Sequence, residues 1–170
     1  SSASDFQTGQ VGEVYDSDGN RIALLQNDKN IIYLTSDQIP ELVKQAFVSI
    51  EDKRFYKHHG SDSFAIVRAV TSLLGKGRIT QGGSTITQQL LKNNVFDFMS
   101  EDGMLDKIER KLQEQYLAIQ LEKVMSKTEI LESYLNTINL GQNCLGVQAA
   151  ANRYFGKSVS ELDISEAAVI

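Results

Sequence analysis

From residue 36 onward apolar positions recur at helical spacing; ahead of it they do not. Val11 to Tyr15 and Arg21 to Leu25 are short strand-like runs. Asp16-Ser17-Asp18-Gly19-Asn20 separates them with residues that tolerate the positive φ of a tight turn, and Ile31 to Leu34 is a candidate third strand. Ser36 or Asp37 then caps a helix with Pro40 in its first turn, and Leu42, Val43, Ala46, Phe47 and Ile50 mark its apolar face. That helix delivers Glu51 and Asp52 at its C-terminal end. A second helix is expected over Asp62 to Leu74, closed by Gly75-Lys76-Gly77, and a third from just after Gly82-Gly83 to about Asn94.

Asn94 to Asp106 mixes Val95, Phe96, Phe98 and Met99 with Ser-Glu-Asp-Gly and reads as a mobile, partly apolar loop. A long helix follows to about Val124. Ser126 and Glu129 have the spacing of a capping box, with Ile130, Leu131, Tyr134, Leu135 and Ile138 facing inward and Gly141 ending the element. Asp163 and Glu166 repeat that spacing ahead of a last helix. The run Ala167-Ala168-Val169-Ile170 lacks a stop signal, as expected of a sequence cut from a longer protein. No internal repeat or low-complexity tract interrupts the pattern.

Composition supports a helical, folded domain. The 170 residues are 41% apolar and 23% charged, with one proline and 12 glycines. Collagen-like and loop-dominated architectures are excluded. Cys144 stands alone, which rules out an internal disulfide and a cysteine-based zinc site. The first ten residues have neither the basic start nor the apolar centre of a signal peptide, and no run of 18 apolar residues exists. The net charge of -5 conceals an asymmetry: residues 53 to 111 carry ten basic against six acidic side chains, a net of +4, and the remainder seven against sixteen, a net of -9. Such a segment suits a small phosphorylated ligand or lipid headgroup and not a nucleic acid.

Three groups of residues could carry chemistry. Glu51-Asp52, followed by Phe55, His58, His59 and Gly60, sets carboxylates beside basic and aromatic groups at a helix-to-loop junction. A carboxylate there faces the unfavourable end of the helix dipole and becomes a better base; on spacing alone a solvated acidic pair beside Lys53 and Arg54 is the favoured reading. Adjacent histidines cannot share one helical face, which argues against a metal pair. Gly82-Gly83-Ser84-Thr85 opening a helix is receptive to anions, and Gln88, Gln89, Lys92 and Asn93 continue a polar stripe; a well-capped wet helix is the alternative. The Gly-Lys-Ser/Thr ending of a nucleotide-binding loop is missing. Arg110, Lys111 and Glu114 lie one turn apart and could be only a surface ion pair. Yet Tyr116, Leu117, Ala118, Ile119 and Leu121 leave little polar face beyond them, which predicts a helix buried on most sides, and a carboxylate there needs partners or a job.

Taken in order, these groups resemble the motifs of the peptidoglycan glycosyltransferases, glycosyltransferase family 51, found as monofunctional transglycosylases and as the first catalytic domain of class A penicillin-binding proteins. Glu-Asp-x-x-Phe-x-x-His-x-Gly is met by Glu51, Asp52, Phe55, His58 and Gly60. Gly-Gly-Ser-Thr-Ile-Thr-Gln-Gln with Lys-Asn is met by Gly82 to Gln89, Lys92 and Asn93, and Arg-Lys-x-x-Glu by Arg110, Lys111 and Glu114. A fourth motif spans Ile130 to Gly141 and continues to Lys157, and a fifth begins at Leu162 and Glu166-Ala167-Ala168. The resemblance covers about residues 40 to 170. The hairpin ahead of residue 35 also looks like the lead-in of the bifunctional members. The helices that usually finish the domain are missing.

The resemblance implies a mainly α, lysozyme-like domain over 36–170, truncated at its C-terminal end, after a small N-terminal β lead-in over 1–35. It implies an inverting hexosyltransferase that polymerises lipid II into β-1,4 glycan strands and releases undecaprenyl pyrophosphate. Glu51 corresponds to the general base and Glu114 to a second essential carboxylate. Asp52, Phe55, His58, Gly83, Ser84, Thr85, Gln88, Gln89, Lys92, Asn93, Arg110 and Lys111 correspond to substrate-binding positions. A divalent cation, Mg or Mn, on the pyrophosphate is compatible with it. Implied partners are lipid II and the growing glycan, the membrane surface, moenomycin-type inhibitors, a transpeptidase domain in the parent chain and cell-wall synthesis proteins. The implied location is the extracytoplasmic face of the bacterial cytoplasmic membrane, with an anchor outside this sequence. Phe96, Phe98 and Met99 are read as a jaw over the lipid, testable by Phe96→Ser with Phe98→Ser and liposome partitioning. Two other readings use the same residues: a lysozyme-like enzyme that cleaves peptidoglycan, and a non-catalytic lipid-headgroup binding module. The cationic groups argue against the first, because cleaving a neutral glycosidic bond needs no pyrophosphate site.

Overall fold

The computed structural model describes residues 12–15, 21–25, 32–64, 67, 83–96, 104–142 and 144–170. Strands β1, Gly12–Tyr15, and β2, Arg21–Leu25, pair antiparallel, with Val14 opposite Ala23 and an irregularity between Val14 and Tyr15. Everything else of regular structure among the described residues is helical: α1 Glu41–Glu51, α2 Ile86–Leu91, α3 Met104–Val124, α4 Lys127–Thr137, α5 Val147–Phe155 and α6 Ile164–Val169. Short 3₁₀ turns cover Phe55–Lys57 and Val159–Glu161, and a π turn, Lys92–Phe96, continues α2. No described helix is long and apolar enough to cross a membrane.

Helix starts follow local chemistry. The Ser126 side chain accepts from the Glu129 amide while Glu129 reaches back to Ser126, and Asp163 and Glu166 do the same for α6. Helix α1 begins later than its sequence suggests. Thr35 and Gln38 close a turn instead, with Gln38 Oε1 accepting from the Thr35 amide at 2.9 Å, and the helix starts at Glu41 after Pro40. Of the expected third strand, the described residues 32–34 form no strand. The backbone of Leu34 pairs with a side chain: its N–H donates to Asn136 Oδ1, and Asn136 Nδ2 donates to its carbonyl, each at 2.8 Å. Helix α4 ends at Thr137 rather than near Gly141, because Ile138 is already extended.

The core gathers one face of each helix: Val43 and Phe47 of α1, Ile86, Leu90 and Leu91 of α2, Ala118 and Leu121 of α3, and Ile130, Leu131, Tyr134 and Leu135 of α4. Short α2 sits at the centre, packed against both α3 and α4. Its three buried Leu and Ile side chains contribute about 1.5–3 kcal/mol each, so a helix this short is stable only within the assembly. Residues 68–82, which hold most of the helix expected over Asp62 to Leu74, lie outside the described residues, as do residues 97–103 with Phe98 and Met99. Of the loop expected from Asn94, the backbone of 94–96 is instead π-helical and 104–106 already belong to α3.

Candidate active site

Helix α1 ends at Glu51, and the chain then folds back through Asp52 to Gly60. Asp52 is buried and holds this return. Its Oδ2 accepts from His58 Nε2 at 2.8 Å and from the Ile86 amide at 3.0 Å, joining the end of α1 to the start of α2. A carboxylate can only accept, so the imidazole carries its proton on Nε2. Gly60 finishes the return at φ +84, where an added Cβ would come within 2.4 Å of the Ala118 carbonyl carbon and oxygen. Only glycine fits against α3 here.

The lead into α2 is fixed from the same side. Thr85 Oγ1 donates to the Gly60 carbonyl at 2.7 Å and caps the helix, accepting from the Gln88 amide, while Gln88 Oε1 accepts from the Thr85 amide. Both residues are buried and their side-chain oxygens serve this cap. Gln89, half-buried one step on, points the other way: its Nε2 donates to Glu51 Oε2 at 2.9 Å and its Oε1 accepts from Tyr134 Oη at 3.0 Å.

From α3, Glu114 enters the protein with only 1% of its surface exposed. An isolated carboxylate at that depth would cost several kcal/mol, so it needs cations. Lys111 Nζ donates to its Oε2 at 2.7 Å and to Ser84 Oγ at 2.8 Å, and Arg110 Nε lies 3.4 Å from Oε1. This is more than a solvated i,i+4 pair: Glu114 aims two cations at the polar end of α2.

The three groups meet in one cleft of about 490 Å³. Glu51, Asp52, Ser84, Thr85, Gln88, Gln89, Lys92, Asn93, Arg110, Lys111 and Glu114 all line it. Phe55, His58 and Gly83 do not. Phe55 is wholly buried behind the wall, its ring under Lys127 Nζ at 4.4 Å, and His58 stands behind Asp52. Gly83 is half-buried just before Ser84. Ile50, Lys53, Arg54 and Asp62 also line the cleft, although motif spacing does not single them out. Arg54 lies over the Phe64 ring at 4.2 Å with Nε 3.2 Å from Asp62. Its place in the basic segment is the one available signal.

Among the described residues no three His, Cys, Asp or Glu side chains come together as a metal site. The buried cleft carboxylates already have partners: Asp52 has His58 and the Ile86 amide, Asp62 has Arg54, and Glu114 has Lys111 and Arg110.

The chain also resembles known proteins in sequence. The Transglycosylase family model matches residues 18–170. The chain is 47% identical over 161 residues to penicillin-binding protein 1A of Aquifex aeolicus (strain VF5), covering 95% of this chain and 21% of that one. It is 47% identical over 158 residues to penicillin-binding protein 1A of Escherichia coli (strain K12), covering 93% and 18%. With the same-named protein of Clostridium botulinum (strain Langeland), identity is 46% over 161 residues, covering 92% and 19%. The chain thus spans about a fifth of the length of these curated relatives. The matched span runs through every residue of the cleft, and the chain belongs to the Transglycosylase family.

Proposed function

We propose that this domain is a peptidoglycan glycosyltransferase that polymerises lipid II into β-1,4 glycan with release of undecaprenyl pyrophosphate, and that its fold is lysozyme-like over 36–170 after a β lead-in over 1–35. The observation that carries the reading is a single cleft with an exposed carboxylate, Glu51, on one wall and Lys92, Arg110 and Lys111 on the others. The reaction needs those two capabilities: removal of a hydroxyl proton and stabilisation of a departing diphosphate.

In this mechanism the acceptor 4-hydroxyl attacks the anomeric carbon of the donor sugar as Glu51 takes its proton. The bond from that carbon to the pyrophosphate oxygen breaks, and attack from the opposite face turns the α linkage into β. Proton removal by a positioned base contributes about 100- to 10,000-fold in rate. Lys92, Arg110 and Lys111 receive the charge that develops on the leaving group. Glu114 orients Lys111 and Arg110 from beneath and does not itself react. Asn93 and the Ser84 hydroxyl are the polar groups left to meet sugar or phosphate oxygens, while Thr85 and Gln88 hold the wall and Gln89 is bonded to Glu51.

Membership of a family of this name, with penicillin-binding protein 1A relatives, supports a place in cell-wall synthesis at the outer face of the cytoplasmic membrane. A transpeptidase domain elsewhere in the parent chain belongs to the same reading. The test compares lipid II polymerisation by the wild type, Glu51→Gln and Glu114→Gln. Loss of polymer in Glu51→Gln with lipid II binding retained is expected. Muropeptide release from finished peptidoglycan would replace the reading with a lytic one, and unimpaired polymerisation in Glu51→Gln would remove the assigned base.

A further inference from the structure

Tyr134 lies behind the cleft rather than in it. Its ring is wholly buried in the core and meets Phe47 of α1 edge-on, with centroids 6.3 Å apart at 79°. Phe47 sits one helical turn before Glu51. From this anchorage the hydroxyl reaches Gln89 Oε1 at 3.0 Å, and Gln89 Nε2 reaches Glu51 Oε2 at 2.9 Å. The polarity of this chain is fixed by chemistry. An ionised carboxylate only accepts, so the Gln89 NH₂ must face Glu51 and its carbonyl must face Tyr134. A carbonyl cannot donate, so the tyrosine must. A tyrosine hydroxyl that ionised would break the chain at its origin. Burial, first, and then the charges of Glu51 and Asp52 hold this one protonated well above its ordinary range.

We infer that Tyr134 is a positioning residue for the transfer reaction: it locks the Gln89 amide so that NH₂ binds one oxygen of Glu51 and leaves the other turned towards the acceptor hydroxyl. The inference rests on Glu51 acting as the base. Without the tyrosine proton, the amide can rotate and present its carbonyl to the carboxylate, which repels it. Glu51 then spends less time in the productive rotamer. Substrate binding is untouched, because Tyr134 does not line the cleft.

The test is steady-state lipid II polymerisation by the intact protein, in detergent, for Tyr134→Phe, Gln89→Leu and the double variant, with Glu51→Gln as reference and thermal melts alongside. Tyr134→Phe should lower kcat about five- to tenfold, the equivalent of one hydrogen bond, with KM within about twofold. Added to Gln89→Leu it should cost nothing further, because its effect passes through that amide. An unchanged kcat in Tyr134→Phe, or additive losses in the double variant, overturns the inference. Should Tyr134→Phe fail to fold, Gln89→Leu decides alone: a fall in kcat supports the chain, and an effect confined to KM returns Gln89 to substrate binding and refutes it. Activity surviving in Glu51→Gln would instead sink the general-base assignment, so the two failures are distinct.

Discussion

Gly60 shows how one residue can set the spacing of a site. Its φ is +84, and a Cβ at this position would stand only 2.4 Å from the Ala118 carbonyl, so not even a methyl can be added. Gly60→Ala should therefore lower stability by about 3 kcal/mol or more, measured by denaturant unfolding, from backbone strain and overpacking together. Tyr134 makes a second prediction, about pH. Its hydroxyl titrates above the ordinary 10.0 in the folded state, mainly through burial, so the folded state favours the neutral form. That contribution is complete below pH 10 and is lost as pH rises above it through the folded value. The melting temperature should fall as pH is raised past about 10, and the fall should be shallower in Tyr134→Phe, whatever that variant loses at neutral pH.

Elements differ in how far their own sequence determines them. The capping boxes of α4 and α6 are legible because every atom in them lies within four residues. The segment before α1 is not, because the partner of Leu34 is Asn136, 102 residues away. Nothing in Ile31 to Leu34 distinguishes an extended run that pairs with a strand from one that pairs with an amide side chain. The same contrast holds in the cleft. Glu51, Lys111 and Glu114 stand out as charges at helical spacing, whereas Tyr134 depends on contacts that only the packing of α1, α2 and α4 creates, and Arg54 on contacts with Asp62 and Phe64 across the chain's return. Phe55 and His58 look like ligand groups in a motif but stand behind the wall, on or next to a 3₁₀ turn whose side-chain directions a helical or strand period does not predict. Asn136→Ala should release the pre-helix segment, because it removes both bonds to Leu34 and one to the Glu132 carbonyl. A loss of about 2–3 kcal/mol is expected, with new proteolytic cutting near residues 32–36 as its local signature.

At the scale of the whole molecule, charge is unevenly placed: the segment that builds much of the cleft is positive within a chain of net -5. Attraction of an anionic headgroup to Lys92, Arg110 and Lys111 should be screened by salt, whose Debye length drops to about 8 Å at 0.15 M. KM for lipid II is expected to rise severalfold between 0.05 and 0.5 M ionic strength, roughly the range over which exposed charges are screened. A flat KM would mean that the cleft cations do not steer the substrate. Tyr33 and Ser36, beside Leu34, are also bonded to α4, through Glu132. Residues 33–36 are thus clamped to α4 ahead of the helix that carries Glu51. Tension on that segment would be borne by α4, much as a strain-relief collar takes the pull on a cable and spares the joint behind it.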